Sequence, residues 1–277
     1  MSDEKLLNIA LNSAKKAGIE VMKYYRDQSF TAELKEDESP VTSADIAAND
    51  ILMDQLQTLT PDIPIISEEV GTVPLAQREN WGRYWLLDPI DGTGEFIIGS
   101  GDFAVNIALI ENGKPSIGVI HAPDHHLTYY AQNHLGAFKE CNLQNSSSHQ
   151  IYVADYQESR RIKVAISKRQ RIELMEQYLS KDFDFDHVAL GSCSLKNCLI
   201  AEGGADCYLR IGVTGEWDTG ASQCILEQAG GTIIDSEFNP LTYNTRESLL
   251  NPDFLSLGNQ NIPWQKIIKA HRKVYSD

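Results

Sequence analysis

A chain of 277 residues, 42% hydrophobic and 23% charged, has the make-up of a globular protein with one large domain or two closely packed ones. Its formal net charge of −15 argues against a broad surface for duplex nucleic acid, where phosphate contacts dominate affinity. No run approaches the roughly 18 apolar residues of a membrane span, and five scattered cysteines without a C-x-x-C pair argue against zinc and redox motifs.

Leu6, Leu7, Ala10, Leu11, Ala14, Ala17, Val21 and Met22 recur at helical spacing and predict a long first helix reaching Tyr25. A charged loop over 33–39 follows. Pro40-Val41-Thr42-Ser43 then leads into a second helix carrying Ile46, Ile51, Leu52, Leu56 and Leu59. Thr42 or Ser43 is its N-cap, which puts Asp45 in or near the first turn. Ile65-Ile66-Ser67 reads as a short strand ending at Glu68-Glu69, and Tyr84 to Leu87 as a buried strand running into Asp88-Pro89-Ile90-Asp91-Gly92-Thr93.

Beyond that turn the period changes to two, with Phe103, Val105, Ile107 and Leu109 on one face. Glu111-Asn112-Gly113-Lys114 is a hairpin turn, and Ser116 to His121 returns as a strand. Strands at 128–131 and 137–138 extend an antiparallel sheet. The histidines at 121, 125 and 126 lack metal-ligand spacing and read as a loop past a strand end. The polar, serine-rich stretch 142–150 is the junction between an α+β half, 1–145, and an α/β half, 146–277. In the second half strands at 163–166, 187–190, 206–209, 232–234 and 254–257 are interleaved with helices over 171–179, 194–202, 218–228 and 263–273. The basic run at 168–171 reads as a solvated loop between strand and helix, with contact to a second substrate phosphate as the alternative.

The Asp88–Thr93 segment carries the chemistry. Proline fixes one backbone angle and glycine permits a sharp reversal, so two acids and a backbone carbonyl gather at a strand end. Hard divalent cations take that kind of oxygen cluster. Polar turns use the same residue types, and each acid alone also reads as a cap or a solvated group. Asp218, in Gly215-Glu216-Trp217-Asp218-Thr219-Gly220-Ala221, opens a helix as a cap would. Several acids drawn together would need cations to stay ionised.

Taken together, Ser67-Glu68-Glu69, Asp88-Pro-Ile-Asp-Gly-Thr93 and Trp217-Asp218-Thr-Gly-Ala221 resemble, in order and separation, the inositol monophosphatase superfamily of lithium-sensitive, magnesium-dependent phosphatases. Within it the likeness is to the CysQ-like branch, the 3'(2'),5'-bisphosphate nucleotidases. The marks are Glu95-Phe96, Phe103-Ala-Val-Asn106-Ile-Ala-Leu109, Gly113-Lys-Pro115 with Gly118-Val119, Ala122-Pro123, and Gly191-Ser-Cys-Ser194-Leu-Lys196. Two positions depart from the pattern. Gly94 stands where nucleotidase relatives often have Lys, and Thr219-Gly220-Ala221-Ser222 replaces an x-Ala-Ala-Gly run while leaving small residues for close packing on a phosphate.

The resemblance implies a layered αβαβα sandwich, α+β and α/β in its two intimately packed halves, of the kind shared with fructose-1,6-bisphosphatase. It implies two magnesium ions, with a third as a further option at Asp45. Glu68, Asp88 and the Ile90 carbonyl would hold the first ion, and Asp88, Asp91 and Asp218 the second. Glu68 and Thr93 would orient the attacking water, with Asp45 paired to Thr93. Substrate contacts are implied at Glu68, Ile90, Asp91, Gly92, Thr93, Ser194, Lys196 and Asp218. Paired ions ~3.5–4 Å apart would neutralise the phosphoryl oxygens, activate water and stabilise the leaving alkoxide, with no covalent phosphoenzyme.

The expected reaction is therefore removal of the 3'-phosphate of adenosine 3',5'-bisphosphate, giving AMP, in sulfur metabolism. The same chemistry on an inositol or sugar phosphate is the first alternative. A regulatory binding protein on this fold and a non-catalytic cation-binding module are alternatives of another class. The charged start, Met1-Ser2-Asp3-Glu4-Lys5, has no signal-peptide core, so a cytoplasmic location is expected; association with the inner membrane face and a homodimer are both compatible with it.

Overall fold

In the computed structural model, which describes residues 1–35, 39–71, 73–143, 147–157, 160–168 and 172–271, the apolar stripe at the start of the chain forms helix α1 (Asp3–Asp27). A two-stranded ribbon follows, β1 (Ala32–Leu34) against β2 (Pro40–Thr42), where the sequence predicts only a charged loop. Thr42 then caps α2 (Ser43–Leu59), its Oγ1 accepting the Ala44 amide at 3.2 Å. After α2 come β3 (Ile65–Ser67), the short α3 (Leu75–Arg78), β4 (Arg83–Asp91) and α4 (Thr93–Ile97). The meander continues as β5 (Ala104–Glu111), β6 (Lys114–Ala122), β7 (Leu127–Gln132), β8 (Gly136–Cys141) and β9 (Ser147–Ile151).

The second half opens with β10 (Ile162–Ser167), α5 (Ile172–Glu176) and β11 (Phe185–Leu190). Next are α6 (Cys193–Ala201), β12 (Cys207–Arg210) and α7 (Glu216–Gln228), and then β13 (Thr232–Asp235), β14 (Phe254–Leu257) and α8 (Trp264–Ile267). The division expected at 145/146 lies outside the described residues, as do Arg169, Gln170 and Arg171 of the basic run.

Strands β3 to β9 form one seven-stranded sheet in sequence order, parallel at β3–β4 and antiparallel thereafter. The remaining five form a mixed sheet in the order β11-β10-β12-β14-β13. Alternation along β4 and β5 sends Trp85, Leu87, Val105, Ile107 and Leu109 against α1 and α2. The opposite face, with Tyr84, Leu86, Ala108 and Ile110, meets Cys198, Ile225 and Ala221 of α6 and α7, which Ala165, Tyr208 and Phe254 of the smaller sheet cover from below. A third cluster with Met175, Trp264 and Ile267 closes the far side. The layers run α-β-α-β-α, the sandwich that the resemblance implies.

Several elements differ from the sequence reading. The serine-rich stretch 142–150 holds most of β9, whose first four residues are exposed, so its pattern has no apolar face to reveal it. Helix α5 ends at Glu176, and α8 ends at Ile267, with Ile268 in extended backbone, so the long helices expected there are short. His121 lies inside β6 and is buried rather than in a loop; His125 and His126 occupy the turn after it.

Candidate active site

Asp88 and Asp91 end β4, and a break in register aims them. Asp88 pairs with Asn106 and Asp91 with Ala104, so β4 spends three residues where β5 spends two. In a regular strand, residues three apart face opposite ways; the extra residue turns both carboxylates to one side. Pro89 sits inside this bulge, where a missing backbone donor is tolerated. Gly92 follows at φ +93°, and a Cβ there would lie 2.9 Å from the Asp102 carbonyl, so glycine is required on both counts. Beneath the turn Phe96 and Phe103, two of the branch marks, pack edge to face with centroids 5.1 Å apart, and Tyr25 of α1 meets both rings at a tilt.

The other acids arrive from separate elements. Ser67 pairs with Leu87, and the Glu68 amide donates to the Leu87 carbonyl at 3.1 Å, which places Glu68 beside Asp88. Asp218, in the first turn of α7, accepts the Gly215 amide at 2.6 Å. One carboxylate oxygen from each of Asp88, Asp91 and Asp218 lies within 4.8 Å of the others. Asp88 is 1% exposed, and neither of its oxygens has a hydrogen-bond partner among the described residues. Burial pushes its carboxyl well above the usual range, and the carboxylates of Glu68, Asp91 and Asp218 push the same way. Asp218 is raised for the same reasons, burial first and then Asp91 and Glu68.

An orphaned buried carboxylate among three like charges is unfavourable without a cation. These hard oxygen donors fit a divalent metal ion.

Thr93 Oγ1 lies 3.1 Å from both Asp45 Oδ1 and the Ile90 carbonyl. Asp45 is oriented from its other oxygen, which accepts the Thr42 amide at 2.8 Å and the Thr42 hydroxyl at 2.5 Å. Burial lifts the Asp45 carboxyl to about 6. The pairing of Asp45 with Thr93, implied by the resemblance, is thus present as a contact between α2 and the start of α4.

The second half adds a wall. The Asp91 carboxylate accepts the Ser192 hydroxyl at 2.5 Å and the Ser194 amide at 2.6 Å on Oδ2, and the Cys193 amide at 3.2 Å on Oδ1. Ser194 is fully buried and faces Asp91 through its amide. Lys196 sends its ammonium back to the Gly191 carbonyl at 2.9 Å and the Ser192 carbonyl at 2.5 Å. It lines, with Asp91, Gly92, Glu95 and Asp218, an open cavity of about 200 Å³.

Four residues of the site escape sequence reasoning. Arg210, at the end of β12, lines the cavity; its Nε is buried without a partner while Nη2 donates to the Val213 carbonyl at 2.8 Å. Its place at a strand end shortly before Asp218 is the only signal in the sequence. Lys35 pairs with Glu68 at 2.9 Å and Glu69 at 2.8 Å. Ser192 and Asp102, which meet at the cavity wall through Gly191, are the others. One reading is corrected: Gly220 and Ala221 serve sheet packing rather than a phosphate. A Cβ at Gly220 would lie 3.0 Å from Leu86, and one at Gly118 of β6 would lie 2.2 Å from the Ala221 carbonyl.

Comparison with known proteins places the chain in one family. The model of the inositol monophosphatase family matches residues 2–272. A 3'(2'),5'-bisphosphate nucleotidase CysQ of Aggregatibacter actinomycetemcomitans is 40% identical over 266 residues, 96% of this chain and 97% of the relative. The Escherichia coli K12 protein of that description is 42% identical over 250 residues, 90% of this chain and 98% of its own. Among solved structures, CysQ from Bacteroides thetaiotaomicron superposes with a TM-score of 0.79 at 32% identity, covering 93% of this chain and 98% of that one. The extragenic suppressor protein suhB from Bartonella henselae shares the fold, with a TM-score of 0.77 at 24% identity over 95% and 96% of the two chains.

Proposed function

The chain belongs to the inositol monophosphatase family, and on that premise we propose that it is a phosphatase acting as a 3'(2'),5'-bisphosphate nucleotidase, releasing the 3'-phosphate of adenosine 3',5'-bisphosphate to leave AMP. The observation that carries the chemistry is the unpartnered Asp88 carboxylate in contact range of Asp91 and Asp218. Support for the nucleotide comes from the 40–42% identity to nucleotidases across nearly the whole chain. Arg210, which lines the same cavity, supplies the cation for a second phosphate that Gly94 does not.

In this reading Glu68, Asp88 and the Ile90 carbonyl would hold one magnesium ion, and Asp88, Asp91 and Asp218 another, with Asp45 beside a third. Bound magnesium supplies Lewis acidity toward the phosphoryl oxygens and acidifies water. The rest falls to the chain. The Thr93 hydroxyl donates to Asp45, so its lone pairs face the attacking water; as Thr93 Oγ1 takes the water proton, its own proton passes to the Asp45 carboxylate. Glu68, on the Asp88 side, is the second acceptor for that water. Gly92, with its left-handed backbone, and Thr93 open α4 and offer amides to the phosphate oxygens. Lys196 and Arg210 bound the leaving side, where the nucleoside departs, while Ser194 acts through the amide it gives to Asp91.

Sensitivity to lithium, a place in sulfur metabolism, a cytoplasmic location and a homodimer complete the reading. On the structural side, no helix among the described residues is long and apolar enough to cross a membrane. The test is phosphate release from adenosine 3',5'-bisphosphate and from inositol 1-phosphate, each with magnesium and with added lithium. Faster magnesium-dependent release from the nucleotide, suppressed by lithium, is expected. Preference for inositol 1-phosphate would move the function to that substrate.

A further inference from the structure

The cavity wall at Gly191 and Ser192 belongs to the second half of the fold, yet a residue of the first half holds it. Asp102, in the connection from α4 to β5, is 3% exposed. Its Oδ2 accepts the Gly191 amide at 2.7 Å and faces the Lys168 ammonium at 2.6 Å, while Oδ1 lies 3.0 Å from His125 Nε2. These partners come from three places: the end of β11, the end of β10 and the turn between β6 and β7. Burial alone would raise the Asp102 carboxyl, but the contacts to Lys168, Gly191 and His125 outweigh it and hold the group below the usual range.

The approach is close enough to dictate the facing residue. A Cβ at Gly191 would lie 2.4 Å from the Asp102 Cβ and 2.7 Å from the Glu95 Cγ. The next residue, Ser192, has φ +40° and ψ 140°, a backbone conformation costly for any side chain. Such strain persists only where the surroundings over-determine it. Here Asp102 pins the residue before it and Asp91 takes the Ser192 hydroxyl together with the amides of Cys193 and Ser194.

We propose that Asp102 is a positioning residue: by clasping Gly191 and Lys168 it seats the Gly191–Ser194 wall against Asp91 and so sets how tightly substrate is held. This rests on the phosphatase reading of the cavity and adds the residue that fixes its shape. Asp102 touches none of the four acids assigned to metal; it acts through the strained turn.

The test compares wild type, Asp102→Ala, Asp102→Asn and Lys168→Gln, using adenosine 3',5'-bisphosphate at saturating magnesium, with amide hydrogen exchange read in parallel. Losing a buried charge-assisted contact corresponds to a rise in KM of roughly tenfold for Asp102→Ala, with kcat changed less than about threefold. Asp102→Asn keeps an acceptor for the Gly191 amide and recovers part of that loss. Lys168→Gln raises KM less, and adding it to Asp102→Ala changes nothing further, because the two report one contact. Exchange accelerates over 188–194 while α1 and β5 keep wild-type protection. Unchanged KM with unchanged exchange overturns the proposal, as does acceleration across the whole chain, which marks general destabilisation. Should wild type release no phosphate from the nucleotide, the nucleotidase reading fails. The exchange result then decides the clasp: acceleration confined to 188–194 upholds it, and unchanged protection overturns it.

Discussion

The Ser192 hydroxyl donates to Asp91 Oδ2 across 2.5 Å, joining the strained turn before α6 to the acid-bearing end of β4. Through that bond the two halves of the fold share one site. The first half supplies Asp45, Glu68, Asp88 and Asp91, and the second supplies Asp218, Arg210 and the wall that orients Asp91.

Asp88→Asn and Asp218→Asn preserve shape and remove ligand charge. Both are expected to abolish magnesium-dependent turnover with the fold retained. Asp88 also makes a second, independent prediction. Its folded carboxyl titrates above the unfolded value, so its ionisation disfavours the metal-free fold as pH rises through the unfolded carboxylate range. Asp88→Asn should therefore raise the melting temperature of metal-free protein at neutral pH and shrink the further rise on adding magnesium. Calorimetry with and without a chelator checks both; near-wild-type turnover in either variant removes the metal assignment.

Thr93→Val keeps the volume of the side chain and deletes the hydroxyl set between Asp45 and the Ile90 carbonyl. A fall in kcat of roughly 10²–10⁴ is expected, the usual scale for a group managing proton transfer, with little change in KM. Asp45→Asn should slow the chemistry and weaken metal binding together. Steady-state kinetics across a magnesium titration separates the two effects.

Arg210→Gln should discriminate between substrates. A charge-assisted contact to a second phosphate is worth about 1.5–3 kcal/mol, so KM for adenosine 3',5'-bisphosphate should rise roughly ten- to a hundredfold. Turnover of a substrate with a single phosphate should change little. Equal losses on both would place Arg210 in general support of the cavity.

His121 links stability to pH. Burial, with Lys15 adding to it, lowers its imidazole from 6.5 to about 4, and the ring is fixed 2.9 Å from the Thr128 hydroxyl. As pH falls below about 6.5 the unfolded chain takes up a proton that the folded ring refuses until about 4. Stability is thus lost across that window, by on the order of 2 kcal/mol, and is untouched by this group above it. Denaturant midpoints at pH 7 and pH 4.5 measure the loss, and His121→Gln should remove part of it. Gly18→Ala tests the same packing, since a Cβ there would lie 2.4 Å from the ring and is expected to destabilise the fold.

Much of this was legible in the sequence because it is local. The α1 stripe, the alternation along β5 and the Asp-Pro-Ile-Asp-Gly-Thr turn each carry their own period or turn chemistry. The period alone separates an α+β half from an α/β half; their stacking into αβαβα layers is what the family resemblance implies. What escaped depends on partners remote in sequence. Asp102 reads as a loop acid until the fold brings Gly191, 89 positions away, to its carboxylate. Arg210 reads as a surface cation after a strand, and only its buried Nε marks it otherwise. Strand β9 is exposed along most of its length and leaves no periodic trace. Even the aim of Asp88 and Asp91 was only half visible, since spacing in a regular strand would have parted them and the bulge against β5 reunites them.

A crystal soaked in manganese, a magnesium surrogate with anomalous signal, tests the central claim most directly. Peaks at about 2.0–2.2 Å from carboxylate oxygens of Asp88, Asp91 and Asp218, with one also reaching Glu68, are the predicted result. Ions bound only elsewhere on the acidic surface, with the Asp88 carboxylate left bare at saturating manganese, would contradict it.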